Sequence, residues 1–314
     1  MIEEVLQQYF SNPPTATEVL RDQDRLVAEV TVDGKQYYVK GGKQSLVYIE
    51  KTITLTHLMR EANLPFITPV QTLDGKYYVK HGQMHFILEQ KGVGEEVKCL
   101  RMLHIEEIGR MLAKQHLVSE NTAMRFGTGT SWGMFGGNAT DALGDYDENE
   151  LCFLDLMRTL KEHDQHVKEM IAIKELYEAR RSILHTFWGK LPLGPVQGDF
   201  APYNMLFQQH KMTAVFDYDI AGDEVLVNEC IAIAIYLAWH YDYEGPETPD
   251  ERYTAYIRAY SAERPLSNRE QEAVPHLFAL IRACRYDRIE AGIEKIKRGD
   301  GKPFLDETIN ILQG

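Results

Sequence analysis

Residues 196–207 read V-Q-G-D-F-A-P-Y-N-M-L-F, and T-A-V-F-D-Y-D follows at 213–219. Apolar runs flank a short polar loop that carries Asp199 and Asn204, and Asp217 closes the second apolar run. The pattern predicts two strand-like segments joined by a turn. An acid at the end of an apolar strand is costly to desolvate unless something pairs with it. The stretch therefore favours a functional loop over a polar hairpin with chance acids.

The residue types in this loop suit one kind of chemistry. A carboxylate placed at a substrate hydroxyl, such as Asp199, orients that hydroxyl and accepts its proton. An amide oxygen and a second carboxylate, here Asn204 and Asp217, are hard oxygen ligands for Mg²⁺ between nucleotide phosphates. The layout is what phosphoryl transfer requires, although other Mg²⁺-dependent reactions use the same groups.

The first 91 residues have the pattern of a small sheet. Alternating apolar and polar residues around Asp33–Gly34 predict a hairpin that ends at Lys40, and a helical pattern follows at 45–63. A second D-G-K stretch at 74–76 resembles the first and predicts a similar hairpin. These segments predict a small antiparallel sheet with one helix.

Beyond residue 91 the pattern is mostly helical. The insert at 126–146 is glycine-rich and is predicted to be a flexible loop at the cleft. Its segment 127–137 lacks the G-K-[ST] ending and the preceding strand of a phosphate loop. The fold class is therefore α+β, with a sheet lobe at 1–91 and a larger, mostly helical lobe at 92–314. Predicted helices cover 103–117, 151–162, 164–187, 226–240, 250–261 and 268–297.

Charge and composition narrow the classes of partner. The net charge of −13 argues against nucleic acid, which needs a basic surface. The acidity favours a cationic substrate or only keeps the protein soluble, and both explanations stay open. The cysteines are scattered, the N-terminus lacks a signal-peptide pattern, and the longest apolar run is about half of a membrane span. We expect a cytoplasmic protein without a membrane partner, and we assign no metal role to the histidines.

The motifs resemble those of a known family. Q-G-D-F-A-P-Y-N-M-L at 197–206 and F-D-Y-D-I-A-G at 216–222 are similar to the H-G-D-x-x-x-x-N and I-D-x-D-x-A motifs of the aminoglycoside phosphotransferase and choline kinase superfamily. The resemblance extends over most of the chain. It implies a protein-kinase-like two-lobe fold, ATP and Mg²⁺ as cofactors, and a small-molecule alcohol as acceptor; GTP is not excluded.

The resemblance also implies roles for the loop residues. Asp199 corresponds to the catalytic base, and Asn204 and Asp217 correspond to the Mg²⁺ ligands. Asp219 corresponds to a residue that supports the metal or the substrate site. Glu229 stands where the family usually has an Asp that braces the catalytic loop.

A lysine that holds the nucleotide phosphates is expected on the sheet. Lys40 is preferred because a helix that carries Glu50 follows it directly, and a kinase lysine needs an acidic partner. Lys80 ends the second Y-Y-V-K segment and is the rival lysine, while Glu61 is the rival acid.

The strand that reaches the lobe junction is predicted to provide the purine contact. Glu89, Gln90 and Lys91 follow Leu88 there, and backbone groups of this hinge would contact a purine edge. The inference comes from position within the family pattern, since an ordinary strand end has the same side chains.

Departures from the family pattern keep other functions open. Gln197 replaces the usual His, and Ala201 replaces a frequent second His. The turn at 20–26, expected over the phosphates, has no glycine and contains Asp22 and Asp24. A pseudokinase or ligand-binding module without turnover is therefore a second hypothesis.

The identity of the acceptor is also open at this stage. A metabolic kinase for homoserine, choline or a sugar is an alternative to an antibiotic-modifying enzyme. Trp239, Tyr241 and Tyr243 lie in an acidic run and are a candidate cage for an ammonium group, although packing of a loop is the commoner role of such residues. The sequence does not predict the oligomeric state.

Overall fold

The computed structural model of the protein describes residues 1–23, 25–130, 132–135 and 146–314. Asp24 and residues 136–145 of the glycine-rich insert, both part of the sequence interpretation, lie outside the described residues. The described chain divides into two compact units. The first contains Met1–Lys98 and Ala201–Tyr218, and the second contains Cys99–Phe200 and Asp219–Gly314.

The elements follow one another in this order: α1 (Ile2–Leu6), β1 (Ala16–Asp22), β2 (Leu26–Val32), β3 (Lys35–Gly42), α2 (Leu46–Glu61), β4 (Val79–His81), β5 (Met84–Gln90), α3 (Met102–Asn121), α4 (Glu148–Lys161), α5 (Val167–His185), β6 (Leu193–Val196), β7 (Met205–Gln208), β8 (Lys211–Val215), β9 (Gly222–Val225), α6 (Leu226–Ile235), α7 (Pro249–Glu263), α8 (Asn268–Cys284), α9 (Tyr286–Arg298) and α10 (Lys302–Gln313). A single π turn, Tyr236–His240, continues α6.

The sheet of the first unit is antiparallel and has the order β1-β2-β3-β5-β4. The predicted first hairpin is confirmed, since β2 and β3 pair from Leu26–Gly41 to Val32–Lys35. Asp33 and Gly34 both have positive φ, as a type I′ turn demands. One face of the sheet packs against α1 in an apolar cluster formed by Val5, Leu6, Tyr9, Leu26, Ala28, Val30, Val32, Tyr37, Val39, Phe86 and Leu88.

The second D-G-K stretch does not form the hairpin that its letters predict. It makes a turn closed by the Thr72 N–H and the Lys76 carbonyl at 2.6 Å. The chain before this turn pairs with β5 rather than with the chain after it, because the Val70 N–H donates to the Leu88 carbonyl at 2.7 Å. Strand β4 therefore begins only at Val79.

Helix α2 and the hairpin β7–β8 complete the first unit. The Ser45 side chain caps α2 by accepting the Tyr48 N–H at 3.2 Å. The hairpin is joined to the unit by bridges from Val215 to Phe66 and from Phe207 to Glu95. These bridges explain why Ala201–Tyr218 groups with the first unit, whereas a division of the chain at residue 91 assigns those residues to the other lobe.

The second unit is mostly helical, as predicted. Its core is formed by apolar side chains from α4, α5, α6, α8, α9 and α10. The helix predicted at 268–297 is broken at Arg285, whose backbone is extended (φ −64°, ψ 140°). Asp287 then accepts the Arg288 N–H at 2.8 Å in the first turn of α9, which stabilises a new helix start. In the described part of the chain, no helix is long and apolar enough to cross a membrane.

Candidate functional site

The loop that carries Asp199 lies in the second unit, directly after β6. Gln197 is fully buried, and its side-chain oxygen accepts the Asp199 N–H at 2.8 Å. Gly198 has a φ of +87°, and a Cβ there would lie 2.2 Å from the Ile220 carbonyl oxygen. The tight turn thus requires glycine, and Gln197 stabilises it by a side-chain hydrogen bond.

Two side chains, Trp132 and Glu229, lie beside the backbone of Gly198. The indole Nε1 of Trp132 donates to the Gly198 carbonyl at 2.6 Å. The Gly198 N–H lies close enough to Glu229 to lower the pKa of its carboxyl, although Glu229 Oε1 is buried without a hydrogen-bond partner. The bracing role of Glu229 stays a prediction. Trp132 belongs to the glycine-rich insert, for which the sequence suggested only a loop. The indole of Trp132 therefore fixes the carbonyl of the peptide before Asp199.

Glu229 is itself part of a buried polar chain. Its Oε2 lies 2.7 Å from His116 Nε2, and His116 Nδ1 lies 2.6 Å from the Tyr260 hydroxyl. Burial raises the pKa of Glu229 well above its ordinary value, with the charges of Glu224 and Asp199 adding to the rise. Burial also lowers the pKa of His116. The pair is therefore stable as a neutral acid and a neutral imidazole, which avoids two desolvated charges.

The insert that supplies Trp132 is anchored by acids of β9. Asp223 accepts the N–H groups of Phe126 at 3.0 Å and Gly127 at 2.8 Å. The Thr130 hydroxyl donates to buried Glu224 at 2.5 Å. Burial raises the pKa of Glu224 to about 7, even though hydrogen bonds from Thr130, Asn228 and the Val225 N–H oppose the rise. The anchoring residues hold Trp132 toward the Asp199 loop within the second unit.

The raised pKa of Glu224 predicts a pH dependence of stability. An acid whose folded-state pKa is raised from 4.5 to about 7 stabilises the fold fully below pH 4.5, and this contribution is lost as the pH rises through 7. Relative to Glu224→Gln, the wild type should lose ~3 kcal/mol of unfolding free energy over that interval. Urea unfolding at a series of pH values measures the difference. Glu178→Gln, at an exposed acid of the same unit, should run parallel to the wild type; parallel curves for Glu224→Gln would contradict the assignment.

The hydrogen bond from Trp132 predicts a measurable loss on its removal. Trp132→Phe keeps a large aromatic ring but leaves the Gly198 carbonyl without its indole donor. We expect a loss of ~1 kcal/mol of unfolding free energy. Trp188→Phe is the matched control, because Trp188 contacts Phe135 through its ring. Equal effects of the two substitutions would show that ring packing alone accounts for the role of Trp132.

In the first unit, Lys40 pairs with Glu89 rather than with Glu50. Lys40 Nζ lies 2.7 Å from Glu89 Oε2, and Glu50 is exposed. The register explains this partner, because Tyr38 lies opposite Glu89 and Lys40 opposite Ile87, so that Lys40 and Glu89 are diagonal neighbours on one face. The pairing expected from the helix is thus replaced by one across the sheet.

The charge of Lys40 is stabilised by two acids of its own unit. Burial acts to lower the pKa of Lys40, but the charge and hydrogen bond of Glu89 outweigh it, and the charge of Asp217 adds to the rise. The pKa of Lys40 is therefore raised. Glu89 is only 2% exposed, and its second oxygen, Oε1, is buried without a hydrogen-bond partner. The pair combines a stable ammonium group with an incompletely satisfied carboxylate.

Asn204 lies at the base of the β7–β8 hairpin, opposite Phe216, the residue that precedes Asp217. The pairing of Met205 with Val215 extends one step further, where the Phe216 N–H donates to the Asn204 carbonyl at 3.1 Å. Asp217 follows with a φ of +63°, a left-handed conformation that Asp tolerates better than most residues. This strained position turns the chain at the residue predicted to be a metal ligand.

The donor set of the hairpin fits Mg²⁺. No group of three His, Cys, Asp or Glu side chains among the described residues is arranged to hold a metal ion. The first unit offers the amide of Asn204 and the half-buried carboxylate of Asp217. Mg²⁺ is commonly held by one or two such oxygens together with water and substrate phosphates. Asp219, the predicted supporting acid, is exposed and begins the next segment of the second unit.

The predicted hinge residues are differently engaged. Glu89 directs its side chain to Lys40, and Gln90 is exposed. The Lys91 N–H donates to the Gln36 carbonyl at 3.0 Å, so it is already used within the protein. The Lys91 ammonium lies 3.1 Å from Glu29. A purine contact from this segment stays a prediction, and it has to rely on groups other than the Lys91 N–H.

The candidate aromatic cage is not assembled by the second unit. Trp239 packs against Tyr253 and Phe278, with ring centroids 5.9 and 5.8 Å away. Tyr241 instead meets Tyr236 edge to face at 5.7 Å. Tyr243 lies under the guanidinium of Arg252, at 4.4 Å from the ring centroid. Each of the three aromatic residues thus has a separate partner, as loop packing requires.

Comparisons of the sequence with known proteins find distant relatives over half of the chain. No family model matches it. The homoserine kinase of Xanthobacter autotrophicus is 26% identical over 175 residues, which is 55% of this chain and 47% of that protein. The chain spans about half the length of the curated relatives it matches.

Solved structures are similar over nearly the whole chain. An amicoumacin kinase in complex with AMP-PNP and Ca²⁺ has a TM-score of 0.61 at 14% identity and covers 98% of this chain and 90% of its own. An aminoglycoside phosphotransferase from Alicyclobacillus acidocaldarius has a TM-score of 0.62 at 15% identity and covers 99% and 96%. The predicted protein-kinase-like fold is confirmed: the chain has the fold of the aminoglycoside phosphotransferases and related small-molecule kinases.

Proposed function

We propose that the protein transfers the γ-phosphoryl group of ATP to a hydroxyl of a small molecule. The observation that supports this most is the grouping of Lys40, Glu89 and Asp217 in one unit, with Asn204 opposite Phe216, the residue before Asp217. It combines a held cation for phosphates with oxygen ligands for a metal, which is the equipment of phosphoryl transfer.

In this proposal each residue has one task. Lys40 binds the nucleotide phosphates, and Asn204 and Asp217 hold Mg²⁺. When bound, Mg²⁺ offsets the negative charge of the transferred phosphoryl group. Asp199 accepts a hydrogen bond from the acceptor hydroxyl, orients it, and takes its proton as the new phosphate ester forms. Gln197, Trp132 and Glu229 do not touch substrate and keep the Asp199 loop in place.

The finer points of the proposal have their own support. ATP is preferred because the amicoumacin kinase of the same fold was solved with AMP-PNP, and GTP stays open. The four cysteines Cys99, Cys152, Cys230 and Cys284 are all free thiols, which supports a cytoplasmic location. The partial similarity to homoserine kinases favours a metabolic acceptor over an antibiotic.

The test is a panel of alcohols assayed for consumption of ATP in the presence of Mg²⁺. Hydroxy amino acids, choline, sugars and an aminoglycoside represent the acceptor classes left open by the sequence. We expect at least one class to give acceptor-dependent turnover that stops when EDTA removes the metal. No turnover with any alcohol, together with no rise in melting temperature with Mg²⁺ and AMP-PNP, would instead support a module without kinase activity.

A further inference from the structure

A mixed-charge cluster in the second unit lies within electrostatic reach of Asp199. Tyr236 is seven residues after Glu229, about two helical turns along the same face. The Gly198 N–H and the charge of Asp199 both act on the pKa of Glu229, so this face begins beside the Asp199 loop. Burial raises the pKa of Tyr236 to about 12, and the charge of Asp199 adds to the rise. Tyr236 therefore connects the catalytic loop to the residues around it.

Arg285 forms the cationic part of this cluster. Its guanidinium lies 4.7 Å from the ring centroid of Tyr236 and 5.2 Å from that of Tyr286. Its Nε donates to the Asp287 carboxylate at 3.2 Å. The side chain is 16% exposed. Among the described residues, neither of its two terminal nitrogens has a hydrogen-bond partner. The guanidinium is thus held through Nε by Asp287 and lies against two tyrosine rings, and its terminal nitrogens are left for a ligand.

Acidic side chains form the other part. Asp287 lies 2.9 Å from His240 Nδ1 and is 32% exposed. Burial opposes ionisation of Asp287, but His240 and Arg285 outweigh it and lower its pKa to about 2. Burial raises the pKa of Glu148, with Arg285 opposing and Asp287 adding to the rise. The charge of Arg285 thus lowers the pKa of both acids.

We propose that Arg285 binds the carboxylate, and Glu148 and Asp287 the ammonium group, of a small hydroxy amino acid whose hydroxyl is the phosphoryl acceptor. A guanidinium edge recognises a carboxylate through two parallel hydrogen bonds. An ammonium group is attracted both by carboxylates and by the faces of tyrosine rings. An aminoglycoside or a simple sugar carries no carboxylate to occupy Arg285. This inference rests on the proposed phosphotransferase function and gives it a substrate class.

Two neighbouring arginines, Arg282 and Arg288, also lie against aromatic rings but form ion pairs within the protein. Arg282 lies 4.8 Å from the ring centroid of Trp239, and Arg288 lies 4.6 Å from that of Phe304. Both reach Glu307, at 3.4 and 3.1 Å. Their terminal nitrogens have acidic partners, which distinguishes them from Arg285. Arg282 is therefore a matched control for a stacked arginine without a ligand role.

The experiment compares substrates that differ by one group, using the full chain with ATP and Mg²⁺. L-Homoserine carries all three groups, 3-aminopropanol is the same chain without the carboxylate, and 4-hydroxybutyrate lacks the ammonium. In the wild type we expect kcat/KM to fall at least ~30-fold on removal of the carboxylate. Arg285→Gln should lose a similar factor with L-homoserine and change by less than ~3-fold with 3-aminopropanol. Arg282→Gln should keep the wild-type preference.

The outcomes separate this inference from the function on which it rests. The inference would be overturned if Arg285→Gln lowered kcat/KM equally with L-homoserine and 3-aminopropanol. It would also be overturned if the wild type phosphorylated the two substrates with equal kcat/KM. Turnover of sugars or aminoglycosides alone would also overturn it while leaving the phosphotransferase intact. If no acceptor is phosphorylated, the proposed function fails, and the inference is judged by melting temperature: L-homoserine must stabilise the wild type and Arg282→Gln but not Arg285→Gln.

Discussion

Asp199→Asn is expected to lower kcat for phosphoryl transfer by ~10³-fold while the protein stays folded. The substitution keeps the size of the side chain and the hydrogen bond from the backbone N–H of residue 199 to Gln197 Oε1. It removes the carboxylate that is proposed to take the proton. Trp132 binds the backbone carbonyl of Gly198, so this support of the loop remains in the variant. The KM for ATP should change little, because nucleotide binding is assigned to other residues. Steady-state kinetics with circular dichroism and thermal melting measure both parts.

The control for this result is Asp155→Asn, which removes an exposed acid of the same unit. Its kinetics should equal those of the wild type. If Asp199→Asn retained most of the activity, Asp199 would not be the proton acceptor. If it lost activity together with its melting transition, the role of Asp199 would be structural, and Asp199→Glu would have to separate the two possibilities by restoring the fold without restoring turnover.

Lys40→Met is expected to damage both stability and activity. It leaves the carboxylate of Glu89 buried at 2% exposure without its ammonium partner. Breaking a buried ion pair on one side costs ~3 kcal/mol or more of unfolding free energy. In the proposed mechanism it also removes the cation on the nucleotide phosphates, so kcat/KM for ATP should fall by ~10²-fold or more. Urea unfolding and nucleotide kinetics measure the two effects.

A double variant separates these effects. Lys40→Met with Glu89→Gln replaces the buried charge by a neutral amide and should recover much of the lost stability, while activity stays low. Lys80→Met is the matched control, since Lys80 ends the other Y-Y-V-K segment and is exposed. Recovery of activity in the double variant would show that Lys40 serves only to neutralise Glu89. A larger kinetic loss in Lys80→Met would move the phosphate role to Lys80.

The features encoded by local pattern could be predicted from the sequence. The Asp33–Gly34 hairpin and the change from sheet to helices near residue 91 follow from periodicity and turn chemistry, and the structure has both. The Asp199 loop was recognisable because its polar residues interrupt apolar runs at a spacing that resembles a kinase motif. Gly198 is explained by its positive φ and by the nearby Ile220 carbonyl.

Features set by long-range pairing could not be predicted in the same way. Glu89 becomes the partner of Lys40 through the register of β3 on β5. The sequence near Lys40 does not indicate that register. Trp132 reaches the Gly198 carbonyl from 66 residues away. The second D-G-K stretch is predicted to form a hairpin like the first, but the chain before it pairs with β5 instead. Arg285 breaks a helix without Pro or Gly, so no breaker residue marked the position of the cluster.

In the proposed reaction, the γ-phosphoryl group of ATP is transferred to an acceptor hydroxyl with Asp199 as the base. ³¹P NMR of a reaction with ATP, Mg²⁺ and the best acceptor tests it directly. We predict a phosphomonoester signal that grows in proportion to ADP with the wild type and is reduced by ~10³-fold with Asp199→Asn. ADP formed with inorganic phosphate alone, or a phosphomonoester formed equally well by both proteins, would contradict the account.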